Sequence, residues 1–195
     1  MLTSLCCPYL SSVPRIDFTR LPDDGRLWIF ASDRPLGRDE SAVLLEEVDR
    51  FLDQWKAHGA PLRSAREWRD DRFLAIGIDP TAEQASGCSI DGLFRELQRL
   101  EGPLATGLLA GGRVFYRDEN GRVQLALRNE VSRLASAGVI RDDTPVFDTS
   151  LTKVGAWRSR FERPARDSWV RALTASQASQ PSTRAATNSS SDRNG

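Results

Sequence analysis

Between residues 26 and 31 the chain reads Arg-Leu-Trp-Ile-Phe-Ala, a short apolar run of strand type, and the polar Ser32-Asp33-Arg34-Pro35 closes it with a turn. From residue 44 the spacing becomes helical. Leu44, Leu45, Val48, Phe51, Leu52 and Trp55 share one side of a period of about 3.6 residues, while Glu46, Glu47, Asp49, Arg50, Asp53 and Gln54 take the other. This helix is expected to stop at His58-Gly59, with Gly59 in a left-handed cap and Pro61 preventing continuation. Leu62 to Trp68 and Arg72 to Ile78 read as two strands joined around Asp70-Asp71, and Asp79-Pro80 ends the second. Ile90, Leu93, Phe94, Leu97 and Leu100 outline another amphipathic helix up to Glu101-Gly102-Pro103. Arg113 to Tyr116 and Arg122 to Leu127 then flank Asp118-Glu119-Asn120-Gly121, where Asn-Gly favours a hairpin, and a third helix covers Asn129 to Ala137.

The order strand, helix, strand, strand, helix, strand predicts an α+β domain of ferredoxin-like type, two helices on one face of a mostly antiparallel sheet, with an unrelated α+β sandwich as the alternative. Residues 21–140 are expected to form this core. Val146-Phe147, Trp157 and Trp169 extend ordered chain through 141–170 as a C-terminal extension packed on the core. Residues 1–20 carry Pro8, Pro14 and Ser11-Ser12 with little periodicity, and 171–195 are dominated by small polar residues, so both ends read as flexible.

Composition narrows the partners. Lys plus Arg and Asp plus Glu both number 27, so the formal net charge is zero and no bulk field draws nucleic acid. All but two of the basic residues are arginine, Lys56 and Lys153 being the exceptions. Cys6, Cys7 and Cys88 make an odd count without paired metal-ligand spacing, which suggests a reducing, cytoplasmic setting and no metal or other cofactor. Met1 to Leu10 has neither a basic start nor a long apolar run, and no segment approaches the roughly 20 apolar residues that span a bilayer, so neither export signal nor membrane association is expected.

Reactive chemistry and backbone freedom coincide at Ala85-Ser86-Gly87-Cys88-Ser89-Ile90-Asp91-Gly92, between a strand and a helix. With Ser86 as N-cap, Cys88 sits at the second helical position, where free amides and the positive helix end favour a thiolate. With the helix starting at Ser89, Gly87 and Cys88 shape the approach, and the amides are left to hold a phosphate or carboxylate. His58 is the sole histidine, so any Cys-His arrangement uses it; Asp91 is the other proton handler within reach of the motif. Asp33 and Arg34 follow the first strand and are candidates for lining a loop-built ligand pocket.

Leu27-Trp28-Ile29-Phe30, Gln54-Trp55-Lys56-Ala57-His58-Gly59, Arg72-Phe73-Leu74-Ala75-Ile76 and, above all, Ala85-Ser86-Gly87-Cys88-Ser89-Ile90-Asp91 resemble an uncharacterised family of small bacterial proteins, many from Bacteroidetes, often labelled ABC transporter ATPases. The resemblance spans residues 22 to 130 and implies a shared fold with a functional surface around Cys88 and His58. Where that family has Ser-Asn-Arg after the first strand, this chain has Ser32-Asp33-Arg34, which removes the side-chain amide at position 33. The ATPase label fails on chemistry. No G-x-x-x-x-G-K-[ST] loop exists, and Gly107-Leu108-Leu109-Ala110-Gly111-Gly112 lacks the phosphate-contacting lysine.

Two function classes follow. One is a domain that binds a small anionic ligand or a protein partner through residues 86–92, with an open sheet edge available to a homodimer. The other is a thiol-dependent enzyme with Cys88 as nucleophile and His58 or Asp91 handling protons.

Overall fold

The computed structural model describes residues 15–81, 84–109 and 111–174. Cys6, Cys7, most of the N-terminal segment and residues 175–195 of the tail lie outside them. The described parts of both ends are folded. Phe18, in a 3-10 turn over Phe18–Arg20, is buried, and the Ile16 amide donates to the Ser64 carbonyl at 3.2 Å. At the other end the Ser132 hydroxyl donates to the Leu173 carbonyl at 2.9 Å.

The chain is α+β. Strand β1 (Arg26–Ala31) leads to helix α1 (Arg38–Gln54), a small hairpin of β2 (Lys56–Ala57) and β3 (Ala60–Pro61), and then β4 (Ser64–Arg69) and β5 (Phe73–Ile78). Helix α2 (Gly87–Leu104) follows, then β6 (Arg113–Arg117), β7 (Val123–Leu127), α3 (Val131–Ser136), β8 (Pro145–Phe147), α4 (Val154–Arg160), β9 (Glu162–Pro164) and α5 (Arg171–Thr174). The first antiparallel sheet has the order β1-β5-β4 and the second β7-β6-β8-β9.

The period of two along β1 explains the layering. Phe30 turns one way, joining Leu44, Val48 and Leu52 of α1, Leu74 and Ile76 of β5, and Leu93 and Leu97 of α2. Leu27, Ile29 and Ala31 turn the other way, onto Phe115, Phe147, Trp157 and Phe161. A third apolar cluster joins Val114, Tyr116 and Val146 on the far side of the second sheet to Val131, Ile140 and Val170. The stack is therefore helices, sheet, sheet, helices. Phe73 is the joint between the sheets, its ring centroid 5.2 Å from Phe115, 4.7 Å from Phe147 and 5.0 Å from Phe161.

Three expectations are corrected. The residue 113–127 hairpin, expected in the first sheet, starts the second, so the fourth strand of a ferredoxin-like sheet does not pair with β1 among the described residues. The reason lies at the β1 edge. Ala31 and Asp33 amides donate to the Leu108 and Gly107 carbonyls at 3.0 and 3.1 Å, and Leu27 donates to Thr152 at 2.9 Å. Both ends of this edge are already used. Residues 141–170 accordingly supply strands and a helix to the second sheet and the inter-sheet layer. Finally, α1 ends at Gln54, because Trp55 turns extended (φ −70°, ψ 121°) and His58-Gly59, both left-handed at φ 51° and 82°, close the β2–β3 hairpin.

Candidate functional site

Ser86 is the N-cap of α2. Its hydroxyl accepts from the Ser89 amide at 3.2 Å, and the Ser89 hydroxyl donates to the Ser86 carbonyl at 2.8 Å. The Trp55 indole N–H donates to the Ser89 carbonyl at 2.9 Å, fastening the first turn to the end of α1. Gly87 and Cys88 occupy the first two helical positions and are exposed, and amides there have no acceptor within a helix. Beside the residues leading into α2 opens a cavity of about 410 Å³, its lining including Pro80, Gln84, Ala85, Asp24, Arg26 and Lys153. Lys153 Nζ donates to the Asp24 carbonyl at 2.8 Å, and the Arg26 guanidinium carbon lies 4.8 Å from the Trp28 ring centroid.

The proton handlers do not assemble around the thiol. His58 sits exposed in the hairpin turn, and Asp91 is exposed one helical turn beyond the cap. No hydrogen bond among the described residues joins Cys88, His58 or Asp91 to one another. No group of His, Cys, Asp and Glu suited to a metal occurs there either.

Asp33 and Arg34, both partly exposed, are bonded to other parts of the protein. Asp33 Oδ2 accepts from Arg113 Nη2 at 3.0 Å and from the Gly107 amide at 3.2 Å. Asp33 Oδ1 lies 2.8 Å from Arg113 Nε, an ion-pair contact outside aligned hydrogen-bond geometry. Arg113 Nη1 goes on to the Leu109 carbonyl at 2.7 Å. A Cβ on Gly107 would fall 2.7 Å from both Asp33 Oδ2 and Arg113 Nη2, so glycine is what lets the backbone approach this pair. Arg34 forks onto Glu40 (Nη1–Oε2 2.8 Å, Nη2–Oε1 2.6 Å) and reaches the Leu104 carbonyl at 2.7 Å. The Arg34 guanidinium, with the Gly37 amide, holds the Glu40 carboxyl down to about 2. Buried Ser32 lies 3.0 Å from the Thr106 hydroxyl. Together these groups fasten the end of β1 to the start of α1, to the C-terminal end of α2 and the loop after it, and to β6.

Arg72 has no role in the sequence reading, where it merely heads a strand. It is 4% exposed, and its Nε and Nη1 are enclosed without a hydrogen-bond partner. Burial pulls its pKa below the ordinary value, with the Asp33 charge opposing. An enclosed donor left unpaired costs about 1–3 kcal/mol, and a lone buried charge several more. The usable signal was a charged residue heading Phe73–Ile78, a run that is apolar throughout. Trp68 and Trp169 also enclose an unpartnered indole N–H.

Comparison with family profiles, curated proteins and solved structures returns no match. No helix among the described residues is long and apolar enough to cross a membrane.

Proposed function

We propose that this chain is a non-catalytic binding domain that takes a small anionic ligand at the start of α2. The observation that carries it is the exposed, side-chain-capped N-terminus of an 18-residue helix, whose first two amides have no acceptor within the helix and whose leading residues Gln84 and Ala85 line a cavity with Arg26, Lys153 and Asp24. A nucleophilic thiol needs a base in contact or a relay that orients one. Cys88, His58 and Asp91 are each exposed and mutually unbonded, which favours binding over thiol chemistry. The β1-β5-β4 order, with α1 crossing between β1 and β4, supports reading this half as ferredoxin-like in its connections.

The test is a titration with inorganic phosphate at low ionic strength, followed by backbone amide NMR. Saturable shifts at Gly87, Cys88 and Ser89 are expected, retained in Cys88→Ala and reduced at least about tenfold in affinity by combined Arg26→Ala and Lys153→Ala. Unmoved amides at these positions would overturn the binding surface. Rapid alkylation of Cys88 at pH 6 that slows on His58→Ala would instead establish the thiol mechanism.

A further inference from the structure

Arg72 lies at the seam between the two sheets, immediately after Asp70-Asp71, whose backbones are both left-handed (φ 53° and 49°). It lines a cavity of about 390 Å³ shared with Pro35, Asp70 and Asp71 on one side and the β6–β7 hairpin residues Arg117, Arg122 and Gln124 on the other. The acceptors nearby are committed elsewhere. Asp70 Oδ1 takes a bond from Arg117 Nη2 at 3.2 Å, and Arg117 is further held by Glu162 at 2.7 and 2.9 Å. The Asp71 carbonyl accepts from the Leu36 amide at 2.8 Å, and the Arg72 carbonyl from Ser32 at 2.9 Å. Asp33 Oδ2 is taken up by Arg113 and Gly107, and its Oδ1, enclosed without a hydrogen bond, lies in ion-pair contact with Arg113 Nε.

What remains for Arg72 is the face of Phe115, 5.9 Å from its guanidinium carbon, which offers the charge a weak attraction and its N–H groups no acceptor. An arginine stays charged when buried, so its charge, faced by an Asp33 carboxylate that Arg113 also holds, is not relieved by deprotonation. Arg122, exposed at the rim, carries no ion pair among the described residues and adds a second cation. The neighbouring carboxylate without an ion pair is Asp71, which keeps the site's excess positive charge small.

We propose that this cavity is a binding site for one small oxyanion, a carboxylate or phosphate group, held by the Arg72 guanidinium from below and Arg122 from the rim. The site is separate from the α2 surface. An anion here would offset the guanidinium charge where Arg72 borders the cavity, and it would bridge the β4–β5 turn of the first sheet to the β6–β7 hairpin of the second.

The full chain is titrated at low ionic strength with inorganic phosphate and, separately, with acetate, using chloride at matched ionic strength as the reference. Melting temperature and amide NMR are the readouts. Expected are a rise in Tm above the chloride reference and saturable shifts confined to residues 70–72 and 121–124. Arg72→Met, an apolar replacement of similar length, should lose both effects and melt no lower than the parent without anion. Arg72→Lys, which keeps the charge and guards against a folding defect in the first variant, should bind at least about tenfold more weakly because one ammonium cannot fork onto two oxygens. Arg122→Ala should weaken binding several-fold. A response to phosphate alone identifies a phosphoryl ligand, and a response to acetate alone a carboxylate. Equal responses from the parent and Arg72→Met, or none to either anion, would overturn the site. The Arg26→Ala/Lys153→Ala variant separates the two anion sites: it should leave the residue 70–72 shifts intact while moving those at 87–89 to at least about tenfold higher phosphate concentration.

Discussion

Glu40 shows what a single exposed ion pair does when its geometry is good. Its carboxyl accepts two bonds from Arg34 and one from the Gly37 amide, and its pKa falls from 4.5 to about 2 on folding. A carboxyl depressed in this way stabilises the fold fully above pH 4.5, and that contribution fades as the pH drops toward 2. Thermal melts from pH 7 to pH 2 should therefore show Glu40→Gln slightly less stable than the parent at neutral pH, with a smaller further loss between pH 4.5 and 2. Parallel profiles for the two proteins would mean that the pair contributes nothing. Asp33 and Arg34 illustrate the limit of reading such residues from sequence. Both do cluster at the end of β1, yet partners as remote as Arg113 and Leu104 consume them, and no local spacing reveals that.

At the scale of elements, Trp55 decides where one helix ends and how the next begins. Its indole reaches the Ser89 carbonyl while its own carbonyl receives the Leu62 amide at 2.9 Å. Trp55→Phe keeps much of the apolar packing in the cluster with Leu52 and Leu93 but deletes the bond. It should cost about 1 kcal/mol in urea unfolding and speed amide exchange at the start of α2. Unchanged exchange there would show that the clamp is idle. The strands β1, β4 and β5 and both long helices were legible because periodicity and turn residues are local signals. The β2–β3 hairpin was not. Trp55 fits the helical period as well as the extended clamp, so only the contact with α2 separates the two. The Ser86 cap was one of two starts the motif allowed, and the side-chain bond to the Ser89 amide selects it.

For the whole molecule, the two sheets share one aromatic joint. Phe73 is completely buried between Phe115, Phe147 and Phe161, and the Trp157 indole donates to Glu67 on β4 at 2.8 Å. Phe73→Ala should lower unfolding stability by about 3–5 kcal/mol, with tryptophan fluorescence and far-ultraviolet circular dichroism still falling together in denaturant. Separate transitions would mean that the sheets fold as independent units. That the residue 113–127 hairpin belongs to the second sheet was hidden in the sequence, because its strand pattern suits either sheet and the choice depends on what seals β1. That seal also gives the fold a temporal order. The edge of β1 stays unpaired at its Leu27 end until Thr152 has been synthesised. In a nascent chain the Leu27 end of this edge thus stays open after β5 and Leu108 have been made, and the window for mispairing there with another chain closes only when the ribosome has passed the segment that leads into α4.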